Sequence, residues 1–222
     1  MHPRTLVVPK AMLGVAGEPF AAHQLRLLAR GGYRKVVFLV GYLGQAIEEY
    51  VGDGARFGLE VAYAYDGEQP LGTAGAVARA LPLLGDAFLL TFGDAYLRVD
   101  HADVERAFLA AGTEGVMTIF AAANHAESAN VEYNDGLIRA YDKQARSAKM
   151  EYIDYGLSVF RSRAFAQVVP GTPADLTAIN TDLIGRGQLA GYVVEHRPFE
   201  IGSPAGLTET ERLLRELRTT NE

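Results

Sequence analysis

The sequence predicts an α/β fold, a mixed sheet flanked by helices, to which the second half of the chain adds a β-hairpin lobe. Three observations point to it. Apolar, β-branched runs alternate with helical-period segments between residues 19 and 92. The run 87–92 (Ala-Phe-Leu-Leu-Thr-Phe) is apolar without interruption, the pattern of a central strand covered on both faces. After residue 115 the alternation gives way to strands around Asp135-Gly136, a strong hairpin signal.

The elements follow in order. Pro19 to Arg30 carries Phe20, Leu25, Leu27 and Leu28 at helical spacing and closes at Gly31-Gly32. Residues 35–40 form a buried strand, Leu43 to Val51 a helix, 59–65 a strand, and Gly72 to Leu84 a helix opened by a glycine-rich turn. Val116 to Ala121 is a strand; 130–134 and 137–142 make the hairpin; Tyr152 to Phe160 and Gly191 to Pro198 are further strands. Helices are expected at 102–111, 174–188 and 204–218. The chain reads as one domain, with residues 1–115, 116–203 and 204–222 as its two halves and closing helix.

Composition narrows the chemistry. The 222 residues suit one fairly large domain, and 49% hydrophobic content supplies its core. With 27 acidic against 21 basic residues the net charge is -6, so no basic excess exists to neutralise a nucleic-acid backbone. There is no cysteine, which excludes disulfides, thiolate zinc sites and cysteine nucleophiles. No apolar run approaches the ~18 residues of a membrane span, and Met1-His2-Pro3-Arg4 does not open a signal peptide. The expectation is a cytoplasmic protein without membrane or nucleic-acid partners. The five histidines show no metal-binding spacing, and Ser158 and Ser203 have no supporting histidine motif.

Four segments can carry chemistry. Pro9-Lys10-Ala11-Met12-Leu13, running on to Gly17-Glu18-Pro19, sets a lysine just before the opening helix, where it can meet a phosphate or simply be solvated. Glu68-Gln69-Pro70-Leu71-Gly72-Thr73-Ala74-Gly75-Ala76 is a helix opening at which glycines let backbone approach a ligand, or else a plain strand-to-helix turn. Phe92-Gly93-Asp94 places a carboxylate beyond the end of a strand, where open α/β sheets hold ligands. Glu200, in Phe199-Glu200-Ile201-Gly202-Ser203-Pro204, can supply a second carboxylate for magnesium, or lie on the surface.

In this order the segments resemble those of the sugar-1-phosphate nucleotidyltransferases. Pro9 to Pro19 is similar to the family's Pro-Lys-Pro-Met-Leu-Pro-Val-(Ala/Gly)-Gly-x-Pro, with Ala11 and Gly14 replacing two prolines. Pro70 to Ala76 looks like the nucleotide-contacting turn, Gly93-Asp94 like the magnesium motif, and Asp142-Lys143 like Glu-Lys-Pro. Tyr155 to Phe160 resembles the strand beside the sugar, and Ile201 to Pro204 resembles Asp-Ile-Gly-Thr-Pro.

The resemblance implies a Rossmann-like sheet with a sugar-binding hairpin lobe. It also implies transfer of a nucleotidyl group from a nucleoside triphosphate to a sugar 1-phosphate, releasing pyrophosphate. Mg²⁺ would be held by Asp94 and Glu200, and Lys10 and Lys143 would offset developing charge. Gln69, Gly72, Thr73 and Gly75 fall to the nucleotide, and Asn130, Asp142, Tyr155 and Gly156 to the sugar.

There are departures. Glu200 stands where the family has aspartate, and Asp142 where it has glutamate. The chain opens just after the point where the family has a buried strand and a glycine-rich phosphate loop. That leads us to expect that Met1 is an internal methionine, with about 15–20 residues (a strand and a loop) ahead of it. Apolar strand edges then invite self-association, so a homo-oligomer is possible. The alternatives are an inactive sugar-phosphate or nucleotide-sugar binding protein, and a glycosyltransferase. The second is weakened because Gly93-Asp94-Ala95-Tyr96 lacks the Asp-x-Asp pair.

Overall fold

A computed structural model describes residues 8–122, 129–144 and 147–220. The strands are β1 (Gly14–Val15), β2 (Glu18–Pro19), β3 (Lys35–Val40), β4 (Glu60–Tyr65), β5 (Ala87–Thr91), β6 (Ala95–Tyr96), β7 (Gly115–Ala121), β8 (Val131–Asn134), β9 (Leu137–Tyr141), β10 (Tyr152–Arg161), β11 (Leu189–Val194) and β12 (Phe199–Glu200). The α-helices are α1 (Phe20–Arg30), α2 (Gly44–Val51), α3 (Gly72–Ala80), α4 (His101–Ala111), α5 (Leu176–Gly185) and α6 (Pro204–Thr220). They group into two compact units, each drawn from separated stretches of chain: 1–67, 92–96 and 198–222 in the first, 68–91 and 97–197 in the second.

In the first unit β3 and β4 pair in parallel, Lys35 opposite Glu60 through Val40 opposite Tyr65. A parallel pair needs a crossover, and α2 supplies it. Ala21, Ala22 and Leu25 of α1 and Ile47 and Val51 of α2 pack with Val40, Phe57 and Val61. A second apolar cluster lies under α6, where Leu213 and Leu214 meet Leu13, Val15, Phe20, Tyr96 and Ile201. The segment 13–19 is a tight hairpin of β1 on β2, turning at Ala16 (φ 48°) and Gly17 (φ 90°).

The second unit is built on a six-stranded sheet in the order β5-β10-β7-β11-β9-β8. Only β7 and β11 run parallel; the other neighbours are antiparallel. Met117, Ile119, Leu157, Phe160, Phe165, Leu183 and Leu189 are fully buried in it. The β8–β9 hairpin turns at Asp135 and Gly136, both with positive φ, as the sequence predicts.

Three expectations need correction. The run 87–92 has the composition of a central strand, yet β5 is the edge of its sheet, hydrogen-bonded to β10 alone among the described residues. Periodicity reports how apolar a strand is, not how many neighbours it has. The helix expected over 174–188 is shorter, because Asp175 caps Thr177 N–H at 2.6 Å and the chain leaves the helix after Gly185. The last large strand is 189–194 rather than 191–198, ending where Glu195-His196-Arg197 turns polar and exposed.

Candidate functional site

In the first unit, Lys10 begins a short 3-10 turn behind Pro9, and Asp94 lies in the turn leading into β6. The buried Gln24 amide of α1 donates to the carbonyls of Phe92 (2.9 Å) and Ala95 (2.8 Å), which clamps that turn from below. Ile201 N–H donates to the Asp94 carbonyl at 2.9 Å, so β12 backs it as well. Across this frame Lys10 Nζ donates to Asp94 Oδ2 at 3.0 Å. Both side chains are partly open to water, so the pair is worth little to stability and stays available to a ligand.

Glu200 closes the cluster. Its carboxylate accepts the Gly202 and Ser203 backbone N–H groups and the Ser203 hydroxyl in the turn before α6, and Ser203 Oγ in turn caps the helix by accepting Gly206 N–H at 3.0 Å. Its carbonyl accepts the Thr210 hydroxyl at 2.9 Å. Gly202 lies at the point of convergence. A Cβ there would sit 2.9 Å from Glu200 Oε2, 3.5 Å from Asp94 Oδ2 and 3.6 Å from Lys10 Nζ. The donor set fits magnesium, a hard cation that takes one or two carboxylates and draws its remaining oxygens from phosphate and water.

The motif carrying Lys10 is tied down at its far end. Glu18 receives Arg26 in a two-pronged ion pair and Arg218 of α6 at 3.1 Å, and His23 Nδ1 lies 3.6 Å away. The Arg26 hydrogen bonds hold the Glu18 carboxyl below its ordinary pKa despite burial. Burial lowers the His23 pKa, and its Nε2 meets the Val15 carbonyl at 2.9 Å.

In the second unit, Gly72 and Gly75 serve the chain itself. A Cβ on Gly72 would lie 2.7 Å from the Ala174 carbonyl oxygen, and one on Gly75 2.5 Å from that of Thr172. Ala74 and Gly75 N–H both donate to the Ala174 carbonyl, at 3.0 and 3.2 Å. Two donors at this helix start are thus already used by the chain itself. Thr73 is half-buried in the first turn of α3, and Gln69 is exposed ahead of it.

The other candidates gather at the open end of β9 and the middle of β10. Asn130 accepts Asp154 N–H through Oδ1 (2.9 Å), and its own carbonyl accepts Asp142 N–H (3.0 Å). Asp142 Oδ1 accepts Gln144 N–H at 2.7 Å. Lys143 Nζ lies 5.7 Å from the centre of the Tyr141 ring. Tyr155 is buried and Gly156 takes a left-handed φ of 92°. Sequence reasoning missed Tyr141 and Asp154. The signal present was the Asp154-x-Gly156 spacing, which suits an aspartate bonding the backbone two residues on.

Comparison with known proteins fits this arrangement. The nucleotidyl transferase family model matches residues 1–216. N-acetylmuramate alpha-1-phosphate uridylyltransferase of Neisseria meningitidis serogroup B is 40% identical over 101 residues, which is 45% of this chain and 44% of that protein. The zebrafish (Danio rerio) mannose-1-phosphate guanylyltransferase catalytic subunit beta is 27% identical over 213 residues, 92% of this chain and 58% of that one. The chain therefore aligns with little more than half the length of these curated relatives, or less. In fold it matches a Bacillus anthracis protein assigned as a glucose-1-phosphate thymidylyltransferase, with a TM-score of 0.82 over 97% of this chain and 90% of that one, at 19% identity. HddC from Yersinia pseudotuberculosis gives 0.78 over 94% and 91%, at 15% identity. With a family model spanning nearly the whole chain, this protein belongs to the sugar-1-phosphate nucleotidyltransferases.

Proposed function

We propose that the protein transfers a nucleotidyl group from a nucleoside triphosphate to a sugar 1-phosphate, giving an NDP-sugar and pyrophosphate. The observation that carries this reading is the meeting of Lys10, Asp94 and Glu200 around the bare Cα of Gly202. A sugar phosphate oxygen is already an anion, so it can attack the α-phosphorus without a side-chain base. The bond to pyrophosphate breaks as the new P–O bond forms. Catalysis is then positioning and charge neutralisation.

In this reading Lys10 leaves Asp94 to meet the negative charge that builds on the phosphates. Lys143, exposed beside Tyr141, does the same for the sugar phosphate. Asp94 and Glu200 would hold Mg²⁺, which when bound supplies positive charge to the phosphate oxygens. Gln69, Thr73 and the α3 turn are assigned to the nucleotide, and Asn130, Asp142, Tyr155 and Gly156 to the sugar.

The first pair to test is UTP with N-acetylmuramate 1-phosphate, the chemistry named for the Neisseria relative. GTP with mannose 1-phosphate and dTTP with glucose 1-phosphate follow. Pyrophosphate release from one pair above the others would support the reading. Ligand-induced thermal stabilisation with no release from any pair would make the chain a binding protein instead.

A further inference from the structure

Strand β10 does not run straight. It pairs with β7 at Tyr152–Asp154 and again at Ser158–Phe160, but between Asp154 and Ser158 the register slips: four steps along β10 answer two along β7, from Ile119 to Met117. A slip of this kind takes backbone groups out of the ladder and re-aims side chains, and such bulges collect near active sites. Backbone polar groups freed inside a sheet need other partners, and side chains provide them here. Asp154 Oδ1 accepts Gly156 N–H at 2.9 Å, while the fully buried Thr118 hydroxyl donates to the Leu157 carbonyl at 2.7 Å. Gly156 supplies the left-handed φ the turn requires.

Asp154 is held in turn. Its Oδ2 accepts the Tyr141 hydroxyl at 3.0 Å, and its N–H donates to Asn130 Oδ1 at 2.9 Å. Burial first, and then the Asp154 carboxylate, raise the Tyr141 pKa and keep that hydroxyl a donor. One residue thus joins three strands, its carboxylate holding Tyr141 at the end of β9 and Gly156 of β10 itself, and its backbone N–H holding Asn130, which leads into β8.

Resting on the proposed transferase reading, we infer that Asp154 is the positioning residue of the sugar lobe: through Gly156 N–H and the Tyr141 hydroxyl it sets the β10 bulge that presents the Gly156 backbone to the sugar. It acts through these neighbours. Its loss should therefore loosen sugar binding while leaving the nucleotide side as it was.

The test uses the full chain with three variants, Asp154→Ala, Asp154→Asn and Tyr141→Phe. Affinities for N-acetylmuramate 1-phosphate, glucose 1-phosphate and UTP are measured by calorimetry, and Gly156 amide exchange by NMR. Asp154→Ala is expected to weaken sugar 1-phosphate binding by about tenfold, to leave UTP within about twofold, and to speed Gly156 exchange. Asp154→Asn keeps an oxygen for Gly156 N–H and should restore both. Tyr141→Phe removes only the Oδ2 bond and should give a smaller loss, which keeps the inference testable if Asp154→Ala does not fold. Unchanged sugar affinity in Asp154→Ala, or equal losses for sugar and UTP, would overturn it. If the wild-type protein binds neither of these two sugar phosphates nor mannose 1-phosphate, the transferase reading fails and takes the sugar role with it. Faster Gly156 exchange in Asp154→Ala would then still show what holds the bulge.

Discussion

Lys10 Nζ stands 3.0 Å from Asp94 Oδ2 although 84 residues separate them in the chain. A half-exposed lysine gains little by resting on a partly exposed carboxylate. Its placement matters because the turns beneath both residues are fixed, Asp94 by the Gln24 amide and the Ile201 N–H, and the Lys10 motif by the Glu18 clamp. The backbone holds two opposite charges at a defined spacing, which the proposed function would exchange for phosphate and cation.

Removing either charge should therefore cost rate more than stability. Asp94→Ala is expected to lower pyrophosphate release by about three orders of magnitude, and Lys10→Ala by about two. Melting temperatures should stay near that of the wild type. Near wild-type turnover of Asp94→Ala at ordinary Mg²⁺ would sink the metal assignment.

Glu200 braces the turn before α6, and the proposed reading gives it a metal-binding task that separates experimentally. In the turn it accepts Gly202 and Ser203 N–H and the hydroxyl of Ser203, the residue that caps α6. Glu200→Ala should cost about 1 kcal/mol through the lost turn hydrogen bonds, a drop of roughly 2–4 °C in Tm for a chain of this size. Glu200→Gln keeps an acceptor oxygen and should recover most of that loss while still weakening Mn²⁺ binding. Mn²⁺ affinity equal to wild type in Glu200→Gln would leave Glu200 a brace of the turn alone.

The glycines of α3 should behave as packing residues. Gly75→Ala drives a methyl against the Thr172 carbonyl, and Gly72→Ala adds a strained φ of 65° to a contact with Ala174. Each is expected to cost roughly 1–3 kcal/mol, measured by urea unfolding. A neutral Gly75→Ala would mean that the 171–175 segment yields readily.

Two buried histidines make stability depend on pH. Burial lowers the pKa values of His23 and His101 from the ordinary 6.5, so the folded protein binds fewer protons there than the unfolded chain. Stability should be full above about pH 7 and fall as pH drops through 6.5 towards the folded values. His23→Gln should flatten the part due to His23 in a series of melts from pH 7.5 to 5.5. A slope unchanged by that substitution would leave His101 as its source.

The exposed edges are a matter for sedimentation. Among the described residues, β3 pairs only with β4 and β5 only with β10, and both carry half-buried apolar side chains. Association that grows with concentration is expected. A clean monomer across a hundredfold concentration range would count against it.

Local chemistry made much of this protein readable from sequence. Helix periods closed by Gly31-Gly32 and the Asp135-Gly136 turn are local patterns, and each stands in the structure where its neighbours in sequence place it. Tertiary structure decided whatever depends on partners far along the chain. It put the apolar run of β5 at a sheet edge, and filled the glycine faces of α3 with the backbone of 172–174. It also gathered Asn130, Tyr141 and Asp154 into one network. Hydrophobic period records how a residue faces water, whereas hydrogen-bond partners across a sheet are chosen by topology, on which a local pattern is silent.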